Sequence, residues 1–200
     1  MSGFVQQVLS GLATGCIYAS IALALVMIYQ ATHLVNFAQG EMAMLSTYFA
    51  WTLSAAGMGY WQAFVLTLAA SFIFGMLIER LIIRPVSRGS VLSVITVFVG
   101  LMIIMTSIAG WVFSYTIKSF PSPFSEAWKI IPILSPHEMG MVVVVLVMLA
   151  IVFIFFRFTP VGLALRAAAH EPVASRLVGI RVNRMLAIGW GLAGMVGAVA

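Results

Sequence analysis

Aspartate is absent from this 200-residue chain, and charge of either sign is scarce: five glutamates, ten lysines and arginines, 8% charged residues in all. Soluble domains carry about a quarter charged residues, so a globular enzyme with a water-facing surface is excluded. Cysteine occurs once, as Cys16 inside an apolar stretch; no disulfide framework and no cysteine-based metal site forms within one chain, and Cys16 is expected to be a small apolar helix residue. The three histidines, His33, His137 and His170, lie far apart and none stands in an H-E-x-x-H pattern. Neither a G-x-S-x-G elbow nor a P-loop G-x-x-x-x-G-K-[ST] occurs, so the chain does not bind ATP by that route. No lysine or arginine precedes Arg80. The basic start of a cleaved signal is therefore missing, and the first apolar run is expected to remain as a membrane span.

What is abundant is hydrocarbon: 63% hydrophobic residues and a mean hydropathy of +1.15. A spanning helix needs about 20 mostly apolar residues. Residues 4–29, 61–78, 91–113 and 139–156 meet that, 42–56 are short, and 185–200 begin a further run that the sequence leaves unfinished. The expected fold is all-α, a polytopic transmembrane bundle of about six spans with the last truncated, in a chain lacking its C-terminal part. The net charge of +5 does not point to nucleic acid, because of where the charge sits. Arg80, Arg84 and Arg88 fall in residues 79–90, and Arg157, Arg166, Arg176, Arg181 and Arg184 in residues 157–184. The positive-inside rule places both loops in the cytoplasm. Residues 114–138, with Lys118 and Lys129 and broken by Pro121, Pro123, Pro132 and Pro136, are then extracytoplasmic, and counting back puts the N-terminus outside. Trp61, Trp111, Tyr115 and Trp128 suit the membrane interface. Small residues at four-residue spacing (Gly11, Gly15 and Ala19; Ala187 with Gly191; Ala193 with Gly197) predict close helix packing, chiefly within the subunit.

Three polar constellations interrupt the hydrocarbon. The first is the island 33–41, where Asn36, Gln39 and Glu41 arrive beside Phe37 and Gly40. Polar groups are costly in a bilayer unless they face a cavity or protein partners. The island fits a broken helix lining a solute path, or equally an interfacial turn in which Glu41 starts the next helix. The second is the loop 159–184. It is expected to hold two short helices, one from about Gly162 to Ala169 and one opened by Pro172 and ended by Gly179. It is either a docking surface for a cytoplasmic protein or a loop made basic by topology alone. The third, Glu79 to Val86, is expected to be an interfacial anchor with snorkelling arginines.

Five segments in this order, GLATGCIYA at 11–19, NFAQGE at 36–41, ERLIIRP at 79–85, GLALRA at 162–167 and LVGI at 177–180, resemble the permease subunits of bacterial ABC importers for branched-chain amino acids. The resemblance runs over essentially the whole chain. It implies a permease domain over residues 1–200 that pairs with a second permease subunit, is driven by two cytoplasmic ATPase subunits, and receives its solute from a periplasmic substrate-binding protein. The location implied is the bacterial inner membrane, with membrane lipid around it, no nucleic acid, and no cofactor or catalytic residue in this chain. On this resemblance Asn36, Phe37, Gln39, Gly40 and Glu41 belong to the translocation region. Gly162, Arg166, Ala167, Glu171, Ala174, Arg176 and Gly179 belong to the cytoplasmic segment 159–184 that couples to an ATPase. The family often carries histidine where this chain has Gln39, so proton coupling at that position is not expected. Related permeases for urea or short amides share these motifs, and an ATP-independent channel or secondary carrier is the reading of another class.

Overall fold

The computed structural model describes residues 2–32, 34–87, 89–120, 122–124 and 135–200. His33, Arg88, Pro121, Trp128, Lys129 and Pro132, named above, lie outside the described residues. Among the described residues every regular element is helical: α1 Ser2–Thr32, α2 Gln39–Ala55, α3 Tyr60–Ile78, a π-helical turn Glu79–Ile83, α4 Arg84–Val86, α5 Val91–Phe113, α6 Pro136–Phe158, α7 Pro160–His170, α8 Pro172–Leu177 and α9 Val182–Gly197. Among the described residues four helical stretches are long and apolar enough to cross a membrane: Gly3–Gln30, Tyr60–Val86, Val91–Phe113 and Pro136–Phe158. The other two expected spans are shorter, 17 residues in α2 and 16 in α9.

Local chemistry sets several of the helix ends. Ser90 accepts a hydrogen bond from the Ser93 amide and opens α5. Ser135 and Glu138 form a reciprocal capping box at the start of α6, with Pro136 in the first turn. This satisfies two amides that a helix start leaves without partners. Thr159 does the same for α7 through the Gly162 amide, with Pro160 following it. Gly179, at φ +87°, follows α8 in the left-handed conformation that glycine adopts without a steric penalty.

The short helix α9 is the centre of the bundle and packs against α1, α2, α3 and α7. Its Trp190 is fully buried and stacks on Phe98 of α5, ring centroids 6.0 Å apart. Against α3 the contact is backbone on backbone. A Cβ placed on Gly75 would strike the Trp190 carbonyl, one on Gly191 would lie 2.8 Å from the Phe72 carbonyl, and one on Gly194 2.7 Å from that of Ser71. The small residues of α9 thus pack inside the subunit as expected. Those of α1 do not: Gly11, Gly15 and Ala19 are exposed, and nothing lies within 4 Å of a Cβ built on either glycine. The four-residue spacing marks a smooth helix face, and the structure shows that the face on α1 turns away from this chain. The outer faces of the long helices carry Ile73, Ile103, Ile104, Ile151 and Phe153, all exposed. In a bilayer such a surface meets lipid chains without cost.

Candidate functional site: the buried polar break and the helical hairpin

The island 33–41 lies where α1 gives way to α2. Thr32 ends α1, its hydroxyl bonded to the Ile28 carbonyl at 2.9 Å and accepting from the Leu34 amide at 3.3 Å. Residues 34–38 turn without regular structure before α2 begins at Gln39. The turn is inside the protein: Asn36 and Gln39 are each only 1% exposed and Ala38 is fully buried. The Asn36 side-chain carbonyl accepts from the Ala38 amide at 3.1 Å, the two-residue loop asparagine forms with its own backbone. Its amide group donates to the Gln39 side-chain oxygen at 3.4 Å and reaches Met42 Sδ at 3.5 Å. Gln39 Nε2 donates to the Ala193 carbonyl of α9 at 3.3 Å. An unbonded buried amide would cost roughly 1–3 kcal/mol; here both are bonded, and one of them ties α2 to α9.

The break between α1 and α2 is thus packed inside the chain at Asn36, Ala38 and Gln39, a setting in which irregular backbone keeps its hydrogen bonds. The residues divide. Asn36 and Gln39 point inward and fix the break, while Phe37 and Gly40 are exposed and Glu41 is half-buried. Gly40 is not where the chain bends. It sits in the first turn of α2 with no atom within 4 Å of a built Cβ, and the bend lies before it. Glu41 falls in that first turn, where a carboxylate complements the helix dipole. One turn further on, the Ser46 and Ser71 hydroxyls meet at 2.7 Å and join α2 to α3.

The loop 159–184 folds into the two expected helices. Gly162, Leu165 and Ala168 face inward. Gly162 is pressed onto the Phe155 carbonyl and the Phe156 backbone so closely that a side chain there would collide, which sets the corner between α6 and α7. The outward face carries Arg166, Glu171, Ala174, Arg176 and Gly179, with Ala167 half-buried. Beside these cations stand bare hydrocarbon side chains: Leu163, Val173, Val178, and Leu177 at 85% exposure. Leu163 stands on α7, Val173 and Leu177 on α8, and Val178 follows α8 directly.

The third constellation differs from the expected anchor. Arg80 is exposed as an anchor would be, but Glu79 is 3% exposed. Arg84 grips its carboxylate through Nε at 3.1 Å and Nη2 at 2.6 Å, and Nη2 donates again to the Asn183 carbonyl at 2.8 Å. The first turn of α9 is thereby tied to the end of α3. Residues five apart stand about 140° apart around a regular α-helix at 3.6 residues per turn; the π-helical turn brings them to one face. Sequence spacing alone hid this pair.

No solved structure matches the chain. The branched-chain amino acid transport permease protein LivH of Salmonella typhimurium is 29% identical, over 98% of this chain and 69% of the relative's length, and LivH of Escherichia coli K12 is equally similar. BraD of Pseudomonas aeruginosa, a high-affinity branched-chain amino acid transport permease protein, is 26% identical over the same shares. The family model described as the permease component of the branched-chain amino acid transport system covers residues 7–200. With the multi-helical, lipid-compatible fold and a match of that extent, the chain belongs to the branched-chain amino acid transport permease family.

Proposed function

We propose that this chain is the transmembrane permease subunit of an ATP-driven importer that carries leucine, isoleucine and valine across the bacterial inner membrane. The observation that carries the reading is the family match over residues 7–200. The sequence supports it further, since it holds no motif for ATP binding or for catalysis. The chain is a transport component and not an enzyme; ATP hydrolysis belongs to two separate cytoplasmic subunits. A second permease subunit completes the pathway, and a periplasmic protein delivers the solute.

In this reading the basic loops face the cytoplasm, and the short helices α2 and α9 complete six passes with the N-terminus outside. The α7–α8 hairpin takes the ATPase: its exposed Val173, Leu177 and Val178 enter an apolar groove, and Arg166 and Arg176 meet acidic groups at its rim. α9 follows directly from the hairpin and is held at Asn183 by Arg84 and at Ala193 by Gln39. A shift of the hairpin therefore reaches the α2 break and α3 through hydrogen bonds, and the exposed Phe37 and Gly40 and the half-buried Glu41 lie where the path changes shape.

The test is uptake of labelled leucine, isoleucine, valine and urea into vesicles holding the full-length permease pair. Accumulation of the three amino acids is expected only with the ATPases, ATP and the binding protein all present. Uptake by the permease alone would make it a channel or secondary carrier, and uptake of urea in preference to the amino acids would overturn the solute assignment.

A further inference from the structure

Four arginines line one open hollow of about 390 Å³: Arg84 of α4, Arg176 of α8, and Arg181 and Arg184 at the start of α9. Among the described residues only one carboxylate reaches any of them, that of Glu79, and it is taken up with Arg84. Arg176, Arg181 and Arg184 are exposed, and among the described residues their guanidinium groups have neither an ion pair nor a hydrogen bond. Like charges gathered in this way repel one another, and an anion set between them removes that cost. The positive-inside rule asks for arginines on this side of the membrane; it does not ask three separate elements to bring theirs to one hollow. The place is also informative. Arg84 belongs to the apolar stretch Tyr60–Val86, in which Leu77 and Leu81 are exposed, and Val182, next to Arg181, is buried. Cations and bare hydrocarbon therefore stand together where this stretch ends.

We infer that this hollow holds the phosphate of an anionic lipid of the cytoplasmic leaflet, a phosphodiester of the phosphatidylglycerol kind, with Arg181 and Arg184 as its main partners. The inference rests on the permease reading above only for which end of the bundle is cytoplasmic. A guanidinium presents paired N–H donors that match phosphate oxygens, and basic pockets between spanning helices at the cytoplasmic surface take anionic headgroups. Each group has its part. Arg84, neutralised by Glu79 and bonded to the Asn183 carbonyl, gives the hollow an ordered wall without net charge. Arg176 stands on the side toward the hairpin face assigned to the ATPase. That leaves Arg181 and Arg184 for the phosphodiester, whose unesterified oxygens carry the negative charge. A zwitterionic lipid brings an ammonium group that the same arginines repel. A bound headgroup holds the first turn of α9 from outside, as Arg84 holds it from within.

The experiment titrates the full-length permease, purified in detergent, with phosphatidylglycerol, phosphatidylcholine and inorganic phosphate in turn, and counts bound lipid by native mass spectrometry. Phosphatidylglycerol is expected to bind saturably and more tightly than phosphatidylcholine. Arg181→Gln and Arg184→Gln should each weaken it about fivefold, the effect of one cation facing an anionic lipid. Arg80→Gln, exposed but outside the hollow, should leave it unchanged. Saturating phosphatidylglycerol should also raise the melting temperature of the wild type more than that of the double variant. Equal weakening in Arg80→Gln would reduce the site to diffuse surface charge and overturn it. Inorganic phosphate bound as tightly as the lipid would overturn the membrane as its source. Unchanged lipid affinity in Arg181→Gln and Arg184→Gln, with weakened ATPase assembly, would overturn the site in favour of a protein partner. Neither solute nor ATP enters the titration, so failure of the lipid site leaves the permease reading standing, and failure of leucine uptake by the wild-type importer leaves the lipid site standing.

Discussion

Arg84 holds the buried carboxylate of Glu79 with two hydrogen bonds and spends a third on the backbone of Asn183, ninety-nine residues away in sequence. Removing one partner of a buried pair strands the other charge at a cost of roughly 3–5 kcal/mol. Because the guanidinium is about one-third exposed, Arg84→Ala is expected to cost on the order of 3 kcal/mol, the lower end of that range. Thermal unfolding of the detergent-purified protein checks it. A melting temperature equal to wild type would show that the pair contributes nothing.

The two faces of small residues respond differently to a methyl group. At Gly75 the new Cβ meets the Trp190 carbonyl, and backbone cannot swing aside as a side-chain tip can. Gly75→Ala is expected to destabilise by roughly 1–3 kcal/mol, as overpacking does. At Gly11 nothing lies within 4 Å, and Gly11→Ala is expected to change the stability of the isolated subunit by no more than about 0.5 kcal/mol. Paired melting curves decide, and equal losses at the two sites would contradict the packing described for α9.

Asn36 serves three partners and Gln39 two. Asn36→Leu leaves the buried Ala38 amide unbonded as well as removing its own contacts, and is expected to cost about 1–3 kcal/mol, more than Gln39→Leu. The loss is local, so hydrogen exchange should quicken in the first turn of α2 before it does in α3. Unchanged protection there would mean that the break is held by something other than these amides.

Arg166 projects from the outer face of α7 while Leu165 and Ala168 hold that helix to the bundle. Reversing its charge with Arg166→Glu should leave insertion and folding intact, yet lower ATP-driven leucine uptake at least about tenfold through like-charge repulsion at the partner's surface. Uptake at the normal rate in the full-length protein would remove Arg166 from the docking surface.

Much of this was legible in the sequence, and the limits have physical causes. Long runs of hydrocarbon have one stable form in lipid, so α1, α3, α5 and α6 were readable to within a few residues. Proline and glycine likewise marked α7 and α8. The polar island was visible as a break, but whether Asn36 and Gln39 turn inward depends on α9, more than 150 residues distant. The Ser135-to-Glu138 capping box follows a known spacing and could have been found; it sat beside a loop judged irregular on its prolines. The Glu79–Arg84 pair could not be read by α-helical spacing, because the extra residue of a π-helical turn moves Arg84 to a different side. Small-residue spacing showed a smooth face without saying what meets it, and α1 and α9 gave opposite answers.

The two attachments of α9, Arg84 at Asn183 and Gln39 at Ala193, lie ten residues apart, about 15 Å along the axis at 1.5 Å per residue. Between them the face turned to α3 is closely packed: the Trp190 carbonyl lies over Gly75, and the Phe72 and Met76 side chains close over Gly191. A rod borne at two separated points and wedged between them resists tilting and sliding alike, so in the proposed transport cycle α9 is expected to move with α2 and α3 as one body.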